Sequence, residues 1–276
     1  MFKSYMKTVG GGEGDRCLYP TRIDMYGRGC AHDCQYCYAK SLLDFRGMWH
    51  PEHPIPADRR KVVKILDNIP RGRIVRLGGM TDPFQPMEDK YHCTEWLISE
   101  LNKRGIGYLI VTKGASVAKC RGLHPQLAHI QVSYTHTEGW APSDYEKASP
   151  PQERLEAALS LFDRGYDVQL RLSPFVPDFI DIEKVIESPV DKVCVEFLRI
   201  NPFIKRNMPY MKFDEWTENE GGYQHLPLKY KLHYLEPLMR TKKRITVCED
   251  HPVHYQWFKE NVNANPDDCC DLRVRT

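Results

Sequence analysis

Short apolar runs alternate with amphipathic stretches along most of the chain, and this alternation predicts the fold. Six runs of about five to seven residues, flanked by Gly, Pro or charge, have the character of strands buried on both faces. These runs are Arg22–Tyr26, Arg73–Leu77, Gly107–Thr112, Ile130–Tyr134, Val168–Leu172 and Lys192–Leu198. Helices are predicted near Ser41–Asp44, Ala57–Asn68, Tyr91–Arg104, Ser116–Leu123, Gln152–Arg164 and Ile182–Glu187.

The helix that follows Pro151 has the clearest signals. Pro151 precedes an acidic first turn, leucines recur at helical spacing, and Arg164-Gly165 ends the pattern. Regular alternation of strands and helices predicts a parallel sheet. Six such units predict an α/β fold of the partial (β/α)6 TIM-barrel type, in which sites lie at the carboxyl ends of the strands.

Three regions are expected along the chain. Residues 1–20 are Gly-rich and irregular, and are interpreted as a flexible N-terminal arm. Residues 21–200 form the predicted barrel, and residues 201–276 form a C-terminal extension. Within the extension we expect an extended loop at Asn201–Pro227, a helix at Lys229–Thr241 and a short strand at Arg244–Cys248.

Composition narrows the class of protein. The 276 residues are 41% hydrophobic, enough for a full core, and 39 Lys and Arg against 37 Asp and Glu give a net charge of +2. A nucleic-acid partner would therefore need a local basic patch. No apolar run reaches the ~18 residues of a membrane span, and no signal peptide is seen, so we expect a cytoplasmic protein without membrane contact. Ten cysteines in such a chain indicate metal or redox chemistry.

Three of these cysteines form a tight motif directly after the first predicted strand. Cys30, Cys34 and Cys37 have the spacing C-x3-C-x2-C. Three neighbouring thiolates can bind three irons of a cubane cluster and leave the fourth iron open to an outside ligand. A zinc loop or three buried thiols is the alternative, but zinc sites usually have four ligands in paired knuckles and no second knuckle lies nearby.

The triplet, with Tyr36 before its last cysteine, resembles the signature of the radical S-adenosylmethionine (SAM) superfamily. The wider segment 26–39 is similar to the spore photoproduct lyase-like branch, and the likeness extends over roughly residues 20–200. It includes the loop Gly79–Glu88, the strands containing Val111–Lys113 and Val132–Thr135, and the segment 139–154 with its P-x-x-E-R helix start. The resemblance implies a [4Fe–4S] cluster on Cys30, Cys34 and Cys37, SAM as cofactor, and a one-electron donor such as flavodoxin or ferredoxin.

The resemblance also implies which residues hold SAM. Gly78 and Gly79 end the second strand, where the superfamily binds the SAM ammonium with backbone carbonyls, and glycine permits close approach. An ordinary turn is the alternative there. Lys113 follows a very apolar strand and would be costly to bury without an anion, unless it is simply the first solvated residue. The family places this lysine on the SAM carboxylate and Ser133 near the ribose or carboxylate.

Two further residues are assigned to the cofactor site. Tyr36 is expected to flank the adenine. Arg171 is a charge inside the fifth strand, which is an awkward position in a barrel wall, and we expect it to face SAM or substrate.

The implied substrate is nucleic acid, in particular thymine-type bases in DNA, or a modified nucleoside. Cations in the last third of the chain, interleaved with aromatic residues, fit binding of unstacked strands, although a solvated helix face over core aromatics is the alternative. The set comprises Arg199, Lys205, Arg206, Lys229, Lys231, Arg240, Lys242, Lys243, Arg244, Arg273 and Arg275, with Phe203, Tyr210, Trp216, Tyr223, Tyr230, Tyr234, Tyr255 and Trp257. Glu196 and Arg199, at the end of the sixth strand, are the candidate substrate contacts.

One departure from the family pattern affects the expected reaction. The lyase returns a hydrogen from a cysteine beside its second-strand loop, whereas this chain has Gly79-Met80-Thr81 in the corresponding stretch and Cys93 about a dozen residues later. Repair, modification and isomerisation of a base all remain candidates. Radical modification of a peptide or small molecule, and a non-catalytic iron–sulfur protein that binds nucleic acid, are the alternatives.

A second group of cysteines lies near the C-terminal end of the sequence. Cys248, Cys269 and Cys270 could bind an auxiliary iron–sulfur cluster or zinc together with one further ligand. Ordinary buried thiols are the alternative, because adjacent cysteines do not easily ligate one small ion.

Overall fold

The computed structural model describes residues 6–8 and 16–272. The strands are β1 (Met6–Thr8), β2 (Thr21–Ile23), β3 (Tyr26–Gly27), β4 (Ile55–Pro56), β5 (Ile74–Leu77), β6 (Gly107–Thr112), β7 (Ala128–Ser133), β8 (Asp167–Phe175), β9 (Lys192–Phe197), β10 (Glu218–Glu220), β11 (Tyr223–His225) and β12 (Arg244–Val247). The helices are α1 (Tyr38–Leu43), α2 (Arg59–Leu66), α3 (Glu88–Tyr91), α4 (Cys93–Arg104), α5 (Pro151–Asp163), α6 (Ile182–Glu187), α7 (Pro202–Asn207), α8 (Leu228–Met239) and α9 (Pro252–Asn261).

One sheet of eight strands organises the protein, in the order β1-β2-β5-β6-β7-β8-β9-β12. Strands β2 to β12 of this sheet run parallel to their neighbours, and β1 adds an antiparallel edge to β2. The predicted α/β architecture with a partial TIM-type barrel is therefore confirmed. All six predicted strands occur, with ends shifted by up to three residues.

The two faces of the sheet differ in chemistry. Side chains such as Leu97, Leu101 and Leu161 pack helices against one face and are fully buried there. On the other face the strands carry polar side chains at alternate positions, as the two-residue period of a strand requires. Gln131 bonds Gln169 at 2.5 Å, and His129 bonds Asp167 at 2.7 Å. The inner face of the barrel is therefore polar, and it surrounds a lumen instead of a hydrophobic core.

Several sequence expectations are wrong in detail. Ser116–Leu123, predicted as a helix, is only a 3-10 turn at Ala115–Lys119. Asn201–Pro227, predicted as an extended loop, contains α7 and the hairpin of β10 with β11. Asn201 starts α7 by accepting a hydrogen bond from the Ile204 amide at 2.9 Å, and Pro202 follows at the first helical position.

The ends of the chain also differ from expectation. Residues 1–5 and 9–15 of the predicted flexible arm lie outside the described residues, but Met6–Thr8 forms strand β1 and Tyr19 is buried. In the predicted extension, β12 pairs in parallel with β9 and so continues the central sheet. Arg244–Val247 can join because its core-facing Ile245 and Val247 are apolar and buried. Among the described residues, no helix is long and apolar enough to cross a membrane.

Candidate active site

A single cavity opens at the carboxyl ends of the parallel strands and reaches into the lumen. All the residues that the sequence singled out for the cluster, SAM and substrate line it: Cys30, Cys34, Tyr36, Cys37, Gly78, Gly79, Lys113, Ser133, Arg171, Glu196 and Arg199. The second cysteine group, Cys248, Cys269 and Cys270, lines the same cavity. Their roles stay predictions, but their convergence is a property of the fold.

The cysteine triplet lies on a loop that folds back on itself. The Asp33 amide donates to the Cys30 carbonyl at 3.1 Å, and the Cys37 amide donates to the Cys34 carbonyl at 3.2 Å. Gly29 has φ +155°, and a Cβ there would lie 2.7 Å from the His50 carbonyl group, so only glycine fits before Cys30. These turns direct the thiols of one short loop into one cavity.

Cys30 and Cys34 are buried, Cys37 is partly buried, and all three are free of disulfides. Burial raises the pKa of Cys30, Cys34 and Cys37 above the ordinary thiol value. Three thiolates at this depth therefore need a positive centre between them, and a metal cluster supplies one. The donor set, three sulfurs from one loop and no fourth from a knuckle, fits a cubane cluster with one open iron.

Glu146 lies beside the cysteine loop and contacts two of its residues. Its carboxylate accepts hydrogen bonds from the Tyr36 hydroxyl and, at 2.8 Å, from Thr135 Oγ1, and its Oε2 lies 3.8 Å from Cys34 Sγ. Burial alone would raise the pKa of Glu146, but Arg154 and Lys113 outweigh it and lower that pKa to about 2. Glu146 is therefore a fixed negative charge beside the triplet.

Lys113 brings the opposite charge to the same place. Its Nζ lies 5.4 Å from the centre of the Tyr36 ring, and its backbone amide donates to Asp82 Oδ2 at 2.7 Å. Burial lowers the pKa of Lys113, but Cys34, Glu146 and Asp82 outweigh it, so the pKa is raised above its usual value. The ammonium stays charged and is available to an anionic group in the cavity.

The Gly78–Asp82 loop is held by one carboxylate. Asp24 Oδ1 accepts hydrogen bonds from the backbone amides of Gly79, Met80 and Thr81, each at 2.9 Å. A Cβ on Gly79 would lie 2.8 Å from Arg22 Cδ, so glycine is required by close approach. The Tyr38 hydroxyl donates to the Gly79 carbonyl, whose second lone pair remains for a ligand.

The wall formed by β7, β8 and β9 carries the remaining predicted residues. Ser133 is buried, and its carbonyl accepts from Arg154 at 3.0 Å. Arg171 donates to Glu196, to Gln131 Oε1 at 2.9 Å and to Cys194 Sγ at 3.3 Å. Burial raises the pKa of Glu196, but Arg171 and Arg199 outweigh it and lower that pKa to about 2. Arg171 thus has three partners of its own, while it also borders the cavity.

Arg199 sits at the mouth of this wall. Its guanidinium pairs with Asp250 and lies 4.7 Å from the centre of the Tyr223 ring. Met80 lines the cavity, whereas Cys93 begins α4 and its thiol contacts the Tyr91 carbonyl at 3.6 Å. Cys93 is not among the residues that line the cavity, so it does not replace the missing cysteine of the second-strand loop.

Part of the basic patch expected in the last third is taken up by internal contacts, whereas Lys205, Arg206, Lys229, Arg240 and Lys242 are exposed. Lys231 is buried and bonds Glu249 at 2.5 Å, Arg244 pairs with Asp271 at 2.7 Å, and Lys243 donates to two backbone carbonyls. Trp216, counted there as a base-stacking ring, is buried and donates to the Leu198 carbonyl at 2.7 Å. For Lys231 and Trp216 the patch interpretation is wrong, because both side chains are buried in the fold. Arg273 and Arg275 lie outside the described residues.

Sequence reasoning missed residues whose partners are distant in the chain. Asp24, Glu146 and Arg154 position the two loops, and Cys17 and Arg76 line the cavity. A weak signal existed for Asp24, since a carboxylate inside an apolar strand needs partners. Nothing local to Cys17 distinguishes it from a scattered thiol.

Sequence comparisons find distant relatives. No family model matches the chain. It is 28% identical over 163 residues to an uncharacterised protein of Methanocaldococcus jannaschii, a match covering 57% of this chain and 61% of that protein. It is 27% identical over 189 residues to an uncharacterised protein of Mycobacterium tuberculosis, covering 63% of this chain and 56% of that protein. The chain thus spans less than two thirds of the length of these curated relatives.

Comparisons with solved structures cover more of the chain than the sequence comparisons do. Spore photoproduct lyase complexed with dinucleoside spore photoproduct superposes with a TM-score of 0.64 at 14% identity, covering 91% of this chain and 81% of that chain. A variant of that lyase with bound SAM and the same dinucleoside gives a TM-score of 0.61 at 15% identity, over 90% of this chain and 80% of that one. SuiB of Streptococcus suis, bound to SAM, superposes with a TM-score of 0.51 at 14% identity, covering 88% of this chain and 53% of that chain. The chain has the fold of these proteins.

Proposed function

We propose, from the fold shared with spore photoproduct lyase, that this chain is a radical SAM enzyme of the same branch acting on a nucleic-acid base. One observation carries the proposal: the cysteine triplet, Gly78-Gly79, Lys113 and Ser133 line one cavity at the carboxyl ends of parallel strands. They come from four separate strand ends, which a structural metal loop would not require.

In this proposal Cys30, Cys34 and Cys37 would hold the [4Fe–4S] cluster. The cluster and SAM, when bound, would supply 5′-deoxyadenosyl radical chemistry, which can remove hydrogen from carbon. The protein's own contribution is positioning and exclusion of water, since radical chemistry needs little acid–base catalysis. A one-electron donor such as flavodoxin or ferredoxin would supply the electron.

The residues around the triplet match the charged ends of SAM. The Lys113 ammonium is the cation for the SAM carboxylate, and the Gly78 and Gly79 carbonyls are acceptors for the SAM ammonium. Ser133 faces the ribose or carboxylate, and Tyr36 flanks the adenine with its hydroxyl fixed by Glu146. Arg171 lines the same cavity and keeps the Glu196 carboxylate ionised.

The proposed substrate is a base or modified nucleoside, most simply a thymine-type base of DNA. The lyase of the same fold was solved with a dinucleoside photoproduct bound. At the cavity mouth, Arg199 lies over the Tyr223 ring, and a substrate phosphate would take the place of Asp250 on its guanidinium. Glu196 also lines the cavity, and its carboxylate, 32% exposed, can accept hydrogen bonds from a base.

The reaction on that base is proposed to differ from dimer repair. Met80 stands where the resemblance places the lyase's hydrogen-returning cysteine, and a thioether carries no hydrogen to return. Modification or isomerisation of the base needs no donor at that position.

Anaerobic reconstitution tests the proposed activity. Protein reconstituted with iron and sulfide, then given dithionite and SAM, should release 5′-deoxyadenosine. Cys34→Ala should abolish both the brown absorbance of the triplet's cluster and that release, while Cys120→Ala, a buried thiol outside the cavity, should keep both. Release that survives Cys34→Ala would refute the ligand assignment.

Mass spectrometry tests the substrate. Nucleosides from DNA and from RNA incubated with the active enzyme should contain a product of altered mass or retention that depends on SAM. If neither polymer changes while peptides or small molecules do, the nucleic-acid assignment is wrong.

A further inference from the structure

A second set of thiols meets inside the lumen, apart from the triplet loop. Cys17 precedes β2, Cys248 follows β12, and Cys269 and Cys270 lie in the segment after α9. Seven of the ten cysteines line the one cavity: the triplet and these four. We refer to Cys17, Cys248, Cys269 and Cys270 as the thiol quartet.

Packing brings the quartet together. Cys17, Cys269 and Cys270 belong to one packed cluster around Tyr19 and Leu109. Cys248 lines the same cavity as these three residues. Thiols from positions more than two hundred residues apart in sequence thus share one small volume.

Contacts that do not involve sulfur fix the backbone on both sides of the quartet. Asp268 accepts hydrogen bonds from the Cys270 amide at 2.9 Å and from the Tyr19 hydroxyl at 2.7 Å. Thr246 Oγ1 donates to the Cys269 carbonyl at 2.6 Å, and the Cys248 amide donates to Val195 at 2.8 Å. The positions of the sulfurs are therefore set by the fold before any ligand binds.

The charge around the quartet suits an anionic centre. Arg76 acts electrostatically on both Cys17 and Cys248, and its buried Nε has no hydrogen-bond partner among the described residues. Arg171 reaches Cys194, which neighbours the quartet. Four thiolates around a metal centre carry net negative charge, and buried guanidinium groups are suitable counter-charges.

Among the described residues, the sulfurs are not gathered as closely as a single zinc ion would require. Four thiolates on one zinc at 2.3 Å would stand about 3.8 Å apart. Within residues 6–8 and 16–272, three ligand atoms come within 4.8 Å of one another at Glu218, His251 and His254, and at no set of three cysteines. Neither the triplet nor the quartet is that compact, whereas a cluster spreads its ligands over several irons.

We propose that the thiol quartet binds a second iron–sulfur cluster, with Cys17, Cys248, Cys269 and Cys270 as its ligands. Four protein ligands leave no iron open, so this cluster does not bind SAM. It joins the segment before β2 to the segment after α9 across the lumen, beside Arg76.

The test separates the two clusters by removing the triplet first. Protein with Cys30, Cys34 and Cys37 all changed to Ala, reconstituted anaerobically, should keep about half of the wild-type iron and sulfide, and an electron paramagnetic resonance signal that SAM does not alter. Adding Cys248→Ala to this background should remove that iron and signal. Adding Cys120→Ala, which removes a buried thiol outside the cavity, should leave both unchanged.

Three results would overturn the proposal. The first is that the protein without the triplet contains no iron. The second is that it contains one zinc per chain in place of iron. The third is that its iron persists after Cys248→Ala is added. Circular dichroism of each variant confirms folding, and Cys248→Ser provides a second variant that keeps a polar group. Because the iron is counted in protein that lacks the triplet, this result is independent of whether the chain cleaves SAM.

Discussion

Arg154 Nη2 lies 2.5 Å from Glu146 Oε1, and the two side chains are 0% and 1% exposed. Arg154 also donates to the Ser133 carbonyl at 3.0 Å, so one guanidinium connects α5, β7 and the segment that supports Tyr36. The P-x-x-E-R helix start is thus explained by structure: its arginine fixes the charge behind the cysteine loop.

Removing that guanidinium should strongly destabilise the fold. Arg154→Ala leaves the buried Glu146 carboxylate without its closest counter-charge, which should lower the free energy of unfolding by about 3–5 kcal/mol. Urea denaturation followed by circular dichroism measures the loss. Arg240→Ala, which breaks an exposed pair with Glu236, should cost less than about 1 kcal/mol and is the matched control. Equal losses in the two variants would contradict a special role for Arg154.

Neutralising Lys113 should weaken SAM binding without affecting the cluster. If Lys113 binds the SAM carboxylate as proposed, Lys113→Met removes a charged hydrogen bond, and the dissociation constant should rise about 10- to 100-fold. Equilibrium dialysis with the reconstituted protein measures it, and the iron content should stay at the wild-type level. Lys119→Met, at an exposed lysine, should leave the affinity unchanged. An unchanged affinity in Lys113→Met would show that Lys113 is only a solvated residue after β6.

Asp24 is predicted to act through the loop it holds. Asp24→Ala leaves the amides of Gly79, Met80 and Thr81 without their shared acceptor. The expected cost is about 1–3 kcal/mol of stability, together with weaker SAM binding. Thermal unfolding and dialysis measure the two effects. Asp89→Ala, at an exposed carboxylate, is the control, and a loss of stability without any change in SAM affinity would separate the loop from the cofactor.

Stability should depend on pH through His254. Burial, followed by Lys231 and His251, lowers the pKa of His254 to about 4, against the partly opposing Glu249. The folded protein therefore binds fewer protons here than the unfolded chain, whose histidine titrates near 6.5. Its contribution to stability is complete above about pH 6.5 and is lost as the pH falls towards about 4.

A substitution isolates this effect. His254→Gln should flatten the dependence of the melting temperature on pH between about 6.5 and 4, and His53→Gln, at an exposed histidine, should not. Retention of the wild-type slope in His254→Gln would assign the titration to other groups.

Local sequence patterns were sufficient to predict the strands and the cysteine triplet. Gly107–Thr112 and Ile182–Glu187 match prediction end to end, because each apolar stretch is bounded by clear stop signals. The predicted site residues meet because the carboxyl ends of parallel strands share one edge, which the alternation of elements already implied. The helix predicted at Ser116–Leu123 failed because its segment is short and Gly122 interrupts it.

Long-range partners could not be predicted in this way. Glu146 bonds Tyr36 across 110 positions, and Tyr19 bonds Asp268 across 249. Neither pairing leaves a period or spacing in the sequence. Lys231 shows the same limit: it was counted as a surface cation, but its burial depends on Glu249, which arrives on the loop after β12.

The Tyr19–Asp268 hydrogen bond joins the segment before β2 to the segment after α9, and both segments place cysteines in the cavity wall. A ligand that binds between these cysteines stabilises the joined state of the two segments by mass action. A protease should therefore cut the chain near residues 16–20 and 268–272 more slowly when the cavity holds a ligand. The difference can be read on a gel before any substrate is known.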